Sequence, residues 1–256
     1  MTNRPADRSP AEMPNTPSAP AIDYGPSDPW GACLVPMIAF LFMGLLEPSK
    51  DGGGLAGMLG ISYGLYPAVY AVRVATTLLM LWWTWPTLRG WLGRATWWPP
   101  LLGVALTVPW VMLSKLQRDG QWISGDTGRV GFDPFEHFGA DANASWAYIA
   151  LRWLGLVVVV PIVEELFLRG FLMRFVIREN FWTVPFGAVT SATLGTCALY
   201  AVGSHPAEAV AAVVWFGVVT WIGWKTRKPI DCILAHAATN LTLGVYVLFT
   251  NDWWLL

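Results

Sequence analysis

Charge is scarce in this 256-residue chain: 13% of its residues are Asp, Glu, Lys or Arg, against 55% that are hydrophobic. Soluble domains carry about 25% charged residues, so this density across many apolar runs excludes an ordinary water-soluble globule. With 16 basic and 17 acidic side chains and a net charge of −1, there is no basic footprint for nucleic acid. Cysteine is scarcer still. Cys33, Cys197 and Cys232 lie far apart in apolar runs, which excludes a disulfide framework or a cysteine zinc cluster and leaves three small buried hydrophobes. Residues 1–29 hold Pro, Ala, Ser and Asp without an apolar core, so the tail reads as disordered rather than as a signal peptide. There is no H-E-x-x-H pair and no repeat of about 20 to 50 residues.

Long apolar segments are what the chain does have. A bilayer-spanning helix needs about 20 mostly apolar residues. The candidates are 31–46, 63–85, 99–113 with Pro109 inside it, a segment beginning near Trp146, then 185–202, 207–224 and 230–249. Many of the 17 Trp fall in pairs, Trp82-Trp83, Trp97-Trp98 and Trp253-Trp254, as expected of residues that collect at bilayer interfaces. Residues 55–62 read as an interfacial or re-entrant piece. Arg73 lies within the second span, where it either snorkels or pairs with a distant acid. Arg89, Arg94, Arg174, Arg178, Lys225, Arg227 and Lys228 follow the second, fourth and sixth spans, which puts those loops and the N-terminal tail on the cytoplasmic side. NDWWLL then falls on the other. Residues 116–144 form the one long polar stretch, of a length that often carries function; its His137 has no metal-spaced partner and reads as a solvated loop histidine. The division expected is a tail at 1–29, accessory helices and the polar loop at 30–145, and a core at 146–256.

The stretch 157–180, VVVVPIVEELFLRGFLMRFVIREN, organises the rest. Glu164 and Glu165 lie side by side in an apolar run, where an ionisable residue is costly and is read as functional and inward-facing. Glu165 and Arg169 are i,i+4 neighbours with the acid first, the favourable order for an ion pair. Glu164 is then about 100° round the helix, available for chemistry. Pro161 removes a backbone donor and predicts a kink just before the pair.

Two histidines join them. His205 closes the fifth span, and His236 lies in the seventh with Cys232 and Asn240 on the same helical face. Polar groups in lipid satisfy one another when they converge, so Glu164, His205, His236 and Asn240 are expected to meet in one cavity. A carboxylate in a partly desolvated pocket can take a proton from water, an imidazole can orient that water, and an imidazole with a carboxamide can hold an oxyanion. These are the parts needed to cut an amide inside a membrane. The metal alternative uses Glu164, His205 and His236 as zinc ligands. A packing alternative treats Glu165 with Arg169, and His236 with Asn240, as interhelical contacts alone.

Glu-Glu-x-x-x-Arg-Gly at 164–170, a histidine ending the next span, and His-x-x-x-Asn at 236–240 resemble the three motifs of the CAAX protease and bacteriocin-processing (Abi) family of intramembrane proteases. The resemblance covers roughly 146–249, and VPIVEELFLRGFLMRF, VPFG and AHAATNLTLGVYVLFTNDWW further resemble its bacterial branch found alongside exosortase sorting systems. It implies that Glu164 and His205 activate water, that His236 and Asn240 form the oxyanion site, and that Glu165 and Arg169 support them. The chain departs from the family at Ala201, where the second motif carries Phe; Trp215 or Phe216 is expected to fill that space.

The fold expected is therefore an all-α polytopic membrane protein of about seven transmembrane helices around a buried polar site, multi-pass in the cell inner membrane. The activity expected is hydrolysis of a peptide bond in a membrane-associated protein, without a cofactor, zinc being the alternative. An exosortase sorting system is the expected partner. The rivals are a non-enzymatic membrane immunity or scaffold protein that retains the motifs, favoured by Ala201, and a proton-coupled transporter using Glu164 and Arg73. For Glu164 to reach the depth of His205, FLMRFVIREN must continue the fourth helix.

Overall fold

The computed structural model describes residues 28–120 and 131–256; the expectation for the tail falls almost wholly outside that range. Every element described is helical. Helix α1, Pro29–Gly44, starts on Asp28, whose carboxylate accepts the Trp30 N–H at 2.9 Å, with Pro29 in the first turn, where a missing N–H costs nothing. The piece at 55–62 begins within the one-turn helix α2, Gly54–Met58. Helix α3, Tyr66–Leu88, packs against α1. Arg73 finds its acid there: it donates to Glu47 at 2.8 Å and to the Phe40 carbonyl at 2.9 Å. That engagement removes the cation the transporter reading needs.

Helix α4, Trp98–Gly120, accommodates Pro109 and runs past the expected boundary at 113. Its start is stapled by Asp231, which accepts from both the backbone N–H and the hydroxyl of Thr96 at 2.7 Å. After α5, Pro134–Phe138, His137 packs on Phe132 with ring centroids 4.8 Å apart; it is half-buried among aromatics rather than solvated.

Helix α6, Ala142–Phe175, has 34 residues and carries the site. It is wound more loosely in two places, where Val160 N–H reaches the Gly155 carbonyl and Met173 N–H the Leu168 carbonyl, each five residues back. Such π-turns gather at functional sites. At Gly155 a β-carbon would lie 2.0 Å from the Tyr70 hydroxyl, so only glycine lets α3 come this close. As required by the depth argument, α6 continues past Gly170, but it ends at Phe175 rather than at residue 180. Arg174 explains the stop: its guanidinium donates to the carbonyls of Gly170, Trp182 and Val184 at 2.9, 3.1 and 2.8 Å, folding the chain back.

The fifth expected span is corrected most. Helix α7 is only Ser191–Ser204, 14 residues, about 21 Å against a hydrocarbon thickness of about 30 Å. A capping box sets its start: the Thr190 hydroxyl accepts the Thr193 N–H at 3.2 Å and the Thr193 hydroxyl accepts the Thr190 N–H at 2.8 Å. Helices α8, Ala209–Thr226, and α9, Pro229–Thr250, follow. Among the described residues five helices are long and apolar enough to cross a membrane, with Pro29–Gly44 a shorter apolar one. The three cysteines are free and buried.

Candidate active site

The adjacent acids of α6 face different surroundings. Glu165 is fully buried; its carboxylate accepts from Arg169 Nη1 on one oxygen and lies 3.1 Å from His236 Nδ1 on the other. Arg169 also donates to the Phe216 carbonyl at 2.9 Å, so one ion pair joins α6, α8 and α9. Glu164, one residue earlier, hydrogen-bonds to no other described residue and opens onto a cavity of about 100 Å³. A water needs about 10–15 Å³ of such space, so several fit.

His205, His236 and Asn240 line the same cavity. Three helices thus bring together the four residues picked out in the sequence. Their depths agree because α7 is short. Glu164 lies about 16 Å from the end of α6, and His205 follows a helix of about 21 Å.

His205 is oriented by its neighbour. The Ser204 hydroxyl donates to the Tyr200 carbonyl at 2.7 Å and lies 2.8 Å from His205 Nδ1. A hydroxyl has one proton, so Nδ1–H is the donor to Ser204 and a neutral His205 carries its lone pair on Nε2. Trp110 and Phe216 pack on the ring, centroids 5.5 and 5.6 Å away. Ala201 is fully buried in the cluster that holds Phe216. The aromatic surface missing from position 201 is supplied from α4 and α8.

His236 is held between Glu165 and the Trp215 ring, 4.5 Å from centroid to centroid. Trp215 is fixed in turn by donating Nε1–H to the Thr239 hydroxyl at 3.1 Å, and Thr239 bonds the Gly103 carbonyl at 2.8 Å. Asn240 donates to the Leu156 carbonyl at 2.7 Å. The loose winding explains that bond. In its i−5 register the carbonyl of Leu156 should receive the N–H of residue 161, which is Pro161 and has none. The carboxamide fills the vacancy through one N–H and keeps a second. In α-helical register the missing donor would have freed the carbonyl of Val157 instead.

Trp110, Thr239, Leu255 and Leu256, which line the cavity, and Ser204 were not singled out in the sequence. Only the helical spacing of Thr239 from the motif could have drawn attention to it. Among the described residues no three His, Cys, Asp or Glu side chains converge closely enough to hold a metal ion.

Residues 146–242 match the family described as Rce1-like, type II CAAX prenyl endopeptidase. The match spans 97 of the 256 residues, and it is over this segment that the chain resembles the family. No curated protein and no solved structure matches the chain. The match indicates a protease, and with its apolar helices the chain is a multi-pass membrane protein. The matched residues begin in the first turns of α6 and end in α9, so they contain Glu164, Glu165, Arg169, Ser204, His205, His236 and Asn240 but not Trp110, Leu255 or Leu256.

Proposed function

We propose that this protein is an intramembrane endopeptidase that hydrolyses a peptide bond of a membrane-associated protein using water activated by Glu164. The observation that carries this reading is the cavity itself: Glu164, His205, His236 and Asn240 share it, while Glu165, the acid beside Glu164, is taken up in holding His236. Glu164 and the Nε2 lone pair of His205 draw a proton from water, and the resulting hydroxide attacks the substrate carbonyl carbon. The second N–H of Asn240 and a ring N–H of His236, whose Nδ1 lies against Glu165, receive the oxyanion. Glu164 then returns its proton to the leaving amine. Losing one such oxyanion donor typically costs 10²–10³ in rate.

The inner membrane is the proposed location, and proteins handled by an exosortase sorting system are the proposed substrates, on the resemblance of the phrases around the motifs. The non-enzymatic reading draws on Ala201, and the packing of Phe216 and Trp110 on His205 weakens it. The test compares new peptide termini in membranes from cells carrying wild type and Glu164→Ala. Termini present only with wild type support the proposal; an identical set in both would defeat it.

A further inference from the structure

A second, larger cavity of about 570 Å³ lies N-terminal to the catalytic one along α6, lined by Glu47, Lys50, Asp51, Arg73 and Arg152 among others. Its charges are mostly settled. Arg73 pairs with Glu47 at 2.8 Å, Lys50 pairs with Glu136 at 3.6 Å, and Asp51 accepts the Gly53 N–H at 3.2 Å. Arg152 is the exception. Its guanidinium has five N–H donors, and it uses one, a long bond from Nη1 to the Tyr66 hydroxyl at 3.4 Å, while its face rests 4.7 Å from the Tyr70 ring centroid. Among the described residues no carboxylate reaches it. A planar fork of unused donors turned to a cavity matches the two oxygens of a carboxylate or phosphate.

The position of Arg152 says which anion. Arg152, Leu156, Val160 and Glu164 follow one another at helical spacing, and the last three line the catalytic cavity. Arg152 lines both the large cavity and a small one beside it, and Leu256 lines all three. Leu256 therefore borders every cavity in the series. The rise from Arg152 to Glu164 is about 18 Å, the length of about five extended residues.

We infer that Arg152 is a specificity residue that binds an anionic group of the substrate, a carboxylate about five residues from the bond that is cut. The inference depends on the proteolytic reading for its substrate but not for its test. The peptide lies along α6 with its apolar residues displacing Leu255 and Leu256, and its charge ends at the guanidinium.

The test measures binding to Glu164→Gln protein, in which no cleavage is needed, in phosphatidylcholine nanodiscs. The probes are two apolar pentapeptides, identical but for a free carboxylate or a carboxamide at the C-terminus. The free acid is expected to bind about tenfold more tightly, with the preference lost on adding Arg152→Gln and partly kept with Arg152→Lys. Equal binding of the two peptides, or a preference that survives Arg152→Gln, overturns the inference. So does a preference abolished by phosphatidylglycerol in the nanodisc, which would assign Arg152 to a lipid phosphate. Cleavage by wild type is read separately: its failure with the preference intact strikes the catalytic proposal alone.

Discussion

Glu164 and Glu165 are neighbours in sequence and should separate in experiment. Glu165→Gln leaves Arg169, which is 4% exposed, without its anion and weakens the hold on His236. Removing one partner of a buried ion pair costs about 3–5 kcal/mol, against a total stability of about 5–15 kcal/mol for a typical domain. Glu164→Gln replaces a carboxylate that bonds to no described residue, so its cost should stay within about 1 kcal/mol while proteolysis disappears. Thermal unfolding in detergent, read beside substrate cleavage, separates the two effects. Neutralising both partners with Glu165→Gln and Arg169→Met should recover most of the lost stability, since it is the unpaired charge that is costly, but not the activity, since His236 is still unheld. Equal destabilisation by the two single changes would refute the division of labour.

Other outcomes follow from the same geometry. A β-carbon at Gly103 would lie 2.1 Å from the Ala235 carbonyl, so Gly103→Ala should force α4 from α9, cost about 1–3 kcal/mol in detergent unfolding, and slow cleavage by loosening Thr239. Ser204→Ala should lower turnover by about tenfold, part of the 10²–10⁴ that a general base supplies, and shift the pH–rate profile, with Ser204→Thr restoring both. Burial raises the Asp252 carboxyl, but hydrogen bonds from Lys115 and Trp254 outweigh it and hold Asp252 below its ordinary value. A depressed carboxyl stabilises above its unfolded pKa and loses that contribution as pH falls through the folded one; the segment 251–256 should therefore loosen below about pH 3.8, seen as a change in Trp253 fluorescence that Asp252→Asn removes. Cleavage should persist in a metal chelator, and its loss there would restore the zinc alternative.

Much of this site was legible because charge is so costly in lipid. Four polar residues and an ion pair stand out against apolar surroundings, and the i,i+4 spacing of Glu165 and Arg169 alone predicted which of the two acids would be paired. The helix boundaries were less legible. Hydropathy carried the fifth span back to Pro185, whereas the capping box at Thr190 and Thr193 begins α7 six residues later, and Arg174 ends α6 through carbonyls that only the fold brings near. The π-turns leave no signature in composition, so the bond from Asn240 to Leu156 could not be read in advance. Nor could the partner of Arg73, since Glu47 lies across a loop from it. The support given to His205 by Trp110 likewise depends on how α4 packs, which periodicity does not state.

Residues that act as one machine do not add their losses. The most direct measurement is the single-turnover cleavage rate of wild type, Glu164→Ala, His205→Ala and the double variant in one reconstituted membrane. The account predicts that the double variant is no slower than the worse single one, each falling by about 10² or more. Penalties that multiply, or full cleavage by Glu164→Ala, would contradict it.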